Sequence, residues 1–254
     1  MKPLQLVIYL TALFCMCACK STIKEQKDEL YSRHLQRQMK LTIITTTMPD
    51  NKADMNLLLF NDSKFLNETR AKKIIDSLYK KKQIQPLLLV GFSGFKKEYG
   101  IQAIDGEETK QYKKFNDFVI NELYPFIKKK AGVRKFNAVS ICGYKTSALS
   151  AFDVAWNNDE KIGIVGMFKI DFKISATYND SLVIAAIDKQ KKRPAIRIWM
   201  SASEGDSSSH HFKKIMDATK SIIECNLVIN ANEEDVMAEN FTAFLLWAYP
   251  DKTN

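Results

Sequence analysis

Short apolar runs alternate with longer amphipathic stretches along most of the chain. Leu41 to Thr47 is β-branched and reads as a strand. Asn56 to Phe60 and Pro86 to Val90 are nearly unbroken apolar runs, the pattern of strands buried on both faces. Between them, Leu66 to Lys82 predicts a helix with Ile74, Ile75, Leu78 and Tyr79 on one side. Gly91 to Gly106 reads as a long loop, a place where function often resides. Thr109 to Lys130 has helical spacing, with Phe115, Phe118, Val119, Leu123 and Phe126 inward and a kink expected at Pro125. The alternation then continues. Strands are predicted at Phe136 to Cys142, Ile162 to Phe168, Ala195 to Met200 and Asn226 to Ile229. Helices are predicted at Tyr144 to Asn157, His211 to Glu224 and Val236 to Ala248; Leu182 to Lys192 fits either type. Strands alternating with helices imply a mostly parallel sheet covered on both faces, an α/β fold in a single domain.

The N-terminus does not belong to that pattern. Lys2 precedes a short apolar run, Leu4 to Phe14, and then Cys15-Met16-Cys17-Ala18-Cys19-Lys20. A positive start, an apolar stretch and a small residue before a cysteine read as an export signal. The segment resembles a bacterial lipoprotein signal, cut between Ala18 and Cys19 and lipidated on Cys19; the alternative is a plain signal peptide with incidental cysteines. On this reading residues 1–18 are the signal, 19–30 a polar tether and 31–254 the folded domain, anchored to a membrane of the cell envelope.

Composition narrows the picture. With 254 residues, 46% of them apolar and 26% charged, the chain is globular rather than disordered. The formal charge of +9 is spread over runs such as Lys80 to Lys82, Lys128 to Lys130 and Lys189 to Arg193, with no interleaved aromatic motif. That argues for solvated faces rather than a nucleic-acid surface. Beyond the signal only Cys142 and Cys225 remain, each in an apolar run, as expected of buried thiols. No metal or cofactor motif is present.

The richest segment is Ala138 to Ala151, where an apolar strand runs into Gly143-Tyr144-Lys145-Thr146-Ser147 and then a helix of small residues. This is the layout of a nucleophile elbow, G-x-S-x-G. Other pieces follow in order: Tyr31-Ser32 with Leu35 to Thr46, Leu57 to Asp62, Leu87 to Gly91 with Lys97-Glu98-Tyr99, and Phe115 to Ile127. Together they resemble the putative esterase family of α/β hydrolases, which includes enterochelin-esterase-like and S-formylglutathione-hydrolase-like proteins. The resemblance runs from Tyr31 to Tyr249 and implies the α/β-hydrolase fold. It makes Asp62 and Ser63 part of an oxyanion-hole loop and, with Lys145, candidate ligand contacts.

The resemblance also shows what is missing. Lys145 stands where the family has its nucleophilic serine, and Ser147 where it has a glycine. Asn232 stands about where the catalytic histidine belongs. Glu204 or Asp206, in Ser201 to Asp206, matches the acid-bearing loop. An ammonium is a poor nucleophile, and acyl transfer to it would end in an amide. Three readings follow: a non-catalytic binding protein with an unidentified small-molecule or envelope ligand, an active ester hydrolase using Ser147 or Ser93 with His210 or His211, and a structural envelope protein. Lys145 is expected to pair internally with an acid of Glu204 to Asp206 or Glu233 to Asp235, or to hold an external carboxylate or phosphate with the elbow amides.

Overall fold

The computed structural model describes residues 23–94, 107–172, 180–189, 194–219, 222–230 and 236–251. Among the described residues eight strands form one sheet: β1 (Lys24–Ser32), β2 (Arg37–Thr45), β3 (Asn56–Asn61), β4 (Leu87–Phe92), β5 (Val139–Tyr144), β6 (Ile164–Phe168), β7 (Arg197–Ser203) and β8 (Glu224–Asn230). Their order is β1-β2-β4-β3-β5-β6-β7-β8. Strands β3 to β8 are mutually parallel, and β2 runs antiparallel to β4. The helices between them are α1 (Ser63–Glu68), α2 (Ala71–Lys80), α3 (Glu107–Asp117), α4 (Tyr124–Ala131), α5 (Thr146–Asn157), α6 (Asp180–Asp188), α7 (Ser207–Ala218) and α8 (Met237–Ala248).

The apolar runs are buried for the expected reason: helices cover both sheet faces. Along β3, Leu57 and Leu59 face one core with Ile141, Phe118, Leu149 and Phe152. Leu58 and Phe60 face the other with Phe65, Ile75, Phe168 and Phe244. In the second core the Phe60 ring stacks on Phe65 at 4.8 Å between centroids.

Three elements depart from the sequence reading. Residues 24–30, expected within a tether, form most of β1, which pairs with β2 from Lys24–Thr45 to Ser32–Arg37. The segment is polar because it is an edge strand with largely solvated side chains, so hydropathy alone did not reveal it. Its turn is fixed from a distance: Glu122 accepts hydrogen bonds from Ser32 Oγ (2.6 Å) and the Arg33 N–H (2.8 Å). The helix expected over 66–82 is two helices, broken at Arg70, whose φ is 54°. The long helix before β5 passes through a π-helical turn, Phe118–Leu123, just ahead of Pro125. Widening the helix there accommodates the missing proline N–H. Of the ambiguous stretch, the described part is helical as far as Asp188.

Because β3 to β8 are parallel, their carboxyl ends lie along one edge of the sheet. Asn61, Phe92, Tyr144, Phe168, Ser203 and Asn230 end there, and open α/β sheets place ligand sites at this edge.

Candidate functional site

The elbow has its expected shape. Lys145 links β5 directly to α5 with φ 55° and ψ −126°, a conformation in which a non-glycine residue is strained. Its N–H donates to Phe168 O (2.9 Å), and its carbonyl accepts from the Ala148 N–H (3.0 Å). Gly143 is required by close approach: a Cβ there would lie 2.2 Å from Ser147 O. The apex is thus built as a nucleophile is presented, but it presents an exposed lysine.

Ser147 is turned inward. Its Oγ donates to Tyr144 O (2.8 Å) and accepts from the Tyr144 N–H (2.8 Å), and the residue is 2% exposed. The hydroxyl closes the elbow from below and is not presented for attack. Ser93, at the end of β4, lies against the other loop: its Oγ accepts from the Ser63 N–H (3.1 Å) and sits 3.1 Å from Ser63 Oγ. That bond occupies a backbone donor of the loop that resembles an oxyanion hole. Asp62 caps α1, with Oδ1 accepting from the Lys64 N–H (3.0 Å) and Phe65 N–H (3.3 Å). Burial pushes its carboxyl above the ordinary range against those bonds.

The pairing of Lys145 with Glu204 or Asp206 is not formed. Among the described residues no carboxylate lies within ion-pair distance of Lys145. Asp206 is committed elsewhere, as the N-cap of α7. Its Oδ1 accepts from the Ser208 (3.1 Å) and Ser209 (3.2 Å) N–H groups, and its Oδ2 from Ser209 Oγ (2.6 Å). Glu204 is exposed beside Gly205. The ammonium of Lys145 instead lies 5.2 Å from the Tyr144 ring centroid, within cation–π range. His210 and His211 are exposed on α7, without a hydrogen bond to either serine. Asn232, the Glu233 to Asp235 acids and Lys97 to Tyr99 lie outside the described residues, as does Cys19.

Several polar groups at this edge escaped the sequence reading. Lys169 follows β6 as Lys145 follows β5, with φ 46°, and its N–H donates to Ser201 Oγ (3.1 Å). It lines a small cavity of about 20 Å³ with Tyr144, Phe168, Ser201, Asn230 and Asn240. A wider groove of about 340 Å³ adjoins it and shares Lys169. Asn61, register-paired with Gly143, is fully buried, and its Nδ2 has no hydrogen-bond partner. The pair of lysines just past adjacent strand ends was the available signal. The asparagines carried none, because a lone Asn on a helix or strand end is ordinary.

Residues 32–233 match the family described as Putative esterase. The chain belongs to the putative esterase family. No curated protein matches it. Solved structures with the same fold include a siderophore hydrolase from Aspergillus nidulans (10% identity, TM-score 0.71, covering 94% of this chain and 97% of that one). A ferulic acid esterase aligns at 14% identity and TM-score 0.67, covering 90% of this chain and 97% of its own. An enterobactin esterase from Shigella flexneri aligns at 16% identity and TM-score 0.68, covering 91% of this chain and 61% of its own. At these identities the likeness is one of fold. Within the putative esterase family, this chain has the elbow backbone without the serine.

Proposed function

We propose that this putative esterase family member is a non-catalytic binding protein of a bacterial cell envelope, anchored through a lipid on Cys19. The carrying observation is the elbow itself: Lys145 occupies the strained apex, and Ser147 is bonded at both ends to Tyr144. A triad lacking its nucleophile retains only ~10³–10⁴-fold acceleration over water, and here the Ser63 N–H is also engaged. The alternative, an ester hydrolase with displaced residues, would need Ser147 to abandon two hydrogen bonds, or Ser93 to gain a base it does not touch among the described residues.

With β1 starting at Lys24, only residues 20–23 would separate a lipidated Cys19 from the sheet. Four extended residues span at most ~14 Å, which holds the domain close to the bilayer surface.

Two experiments test the reading. A fluorophosphonate probe should leave the purified protein unlabelled; labelling that disappears in Ser147→Ala or Ser93→Ala would establish a working nucleophile and end the proposal. In cell fractionation the wild type should follow the membrane and Cys19→Ala should not. Equal membrane association of both would remove the lipid anchor.

A further inference from the structure

We infer that β8 pairs antiparallel with the β8 of a second copy of this chain, about a two-fold axis at Asn226, so that two sheets join into one. Such pairing is independent of whether the elbow turns over an ester.

The two edges of the sheet are built differently. At one edge, β1 has five charged residues among its nine: Lys24, Glu25, Lys27, Asp28 and Glu29. Charged side chains guard an edge strand against pairing with another chain. At the other edge, β8 has the sequence ECNLVIN, in which only Glu224 is charged. That charge is engaged within the chain. Glu224 Oε2 lies 3.1 Å from Arg197 Nη2, and its Oε1 accepts from the Trp247 indole N–H (2.8 Å). Among the described residues β8 pairs with β7 alone. The Glu204 N–H donates to Asn230 O (3.0 Å), so strand alternation turns the N–H and C=O groups of Cys225, Leu227 and Ile229 away from β7. Ile223 and Ile229 are exposed there, at 66% and 40%.

Symmetry and charge select a second copy as the occupant. Ile223 and Ile229 stand three residues to either side of Asn226. An antiparallel two-fold at Asn226 therefore sets Ile223 of each copy against Ile229 of the other. It also opposes Cys225 to Leu227, whose outward backbone groups then exchange hydrogen bonds. Asn226 meets its own equivalent in a non-hydrogen-bonded pair, with Cα atoms about 4.5 Å apart, where the two amides can bond to each other. On α7, Lys213 and Asp217 form an ion pair (2.6 Å) close enough to Cys225 for both charges to act on its thiol. The two-fold reverses that pair in the second copy, so lysine faces aspartate in both directions. The Arg197–Glu224 and Lys213–Asp217 pairs each sum to zero, which lets two chains of formal charge +9 approach at this edge.

The test uses the full-length protein in detergent. Sedimentation velocity over a ~100-fold dilution series should show monomer giving way to dimer as concentration rises. The double variant Ile223→Lys with Ile229→Lys changes exposed positions only and places like charges opposite each other. It should move the dimerisation midpoint upward at least ~10-fold in concentration, with far-UV circular dichroism unchanged. Asn226→Cys should give a disulfide-linked dimer under mild oxidation, because the paired Cα atoms fall within disulfide range. The wild type, whose Cys225 opposes Leu227, should not. Should the double variant fail to fold, the Asn226→Cys cross-link decides. A wild type that stays monomeric throughout overturns the inference. So does a folded double variant that dimerises as the wild type does, or Asn226→Cys that cross-links no more than the wild type.

Discussion

Lys145 and Ser147 sit two residues apart in one turn and have exchanged the parts expected of such a site. The lysine occupies the exposed apex; the serine is a buried brace for the strand end. Removing the brace should therefore cost stability rather than activity. Ser147→Ala leaves the Tyr144 N–H without that partner and is expected to destabilise the fold by about 1–2 kcal/mol in denaturant titration. The inward turn of Ser147 was legible from its position two residues past the apex. The partner of Lys145 was not, because Asp206 is claimed by the first turn of α7, a competition that spacing does not display. The two thiols are also decided by environment. Burial pushes Cys142 well up and Cys225 up to about 12. Both should resist alkylation in the native protein at pH 7 and react once it is unfolded. Asp62 gives a pH effect of defined sign. Its folded carboxyl lies above the unfolded one, so its charge opposes folding at neutral pH, and that penalty fades as pH falls through the folded value. Asp62→Asn keeps the N-cap, and its stability advantage over the wild type at pH 7 should shrink on acidification.

At the scale of elements, the turn from β5 to α5 is held by close packing. Gly143→Ala would force a methyl group against the carbonyl of Ser147, and neither the strand nor the helix start can yield cheaply. The expected loss is about 1–3 kcal/mol or more in thermal unfolding, larger than for a typical surface substitution. Elements with strong apolar pattern were legible in the sequence, β3, β4 and β5 above all. Those set by remote contacts were not. Strand β1 is polar because it is an edge, and its turn depends on Glu122, some ninety residues away. The break at Arg70 has no proline or glycine to announce it; Thr69 is the C-cap of the first helix, and Arg70 after it takes the left-handed conformation. Where a kink was expected at Pro125, the structure has a π turn, Phe118–Leu123, just upstream of it.

At the scale of the molecule, the parallel sheet gathers its strand ends on one edge, with the lysines at 145 and 169 and the small cavity together there. The family and its fold were legible because order and spacing of many weak motifs survive when single residues change. The chemistry of the site was only half legible: a sequence shows that a serine is missing, but the polar lining of a cavity arises from β6, β7, β8 and α8 meeting in space. The central claim is that an elbow of intact shape performs no acyl transfer. The most direct measurement is the steady-state hydrolysis of p-nitrophenyl acetate and butyrate by the purified protein, beside Ser147→Ala and Ser93→Ala. The account predicts rates for all three that match the spontaneous reaction. Saturable turnover by the wild type, abolished in either serine variant, would contradict it.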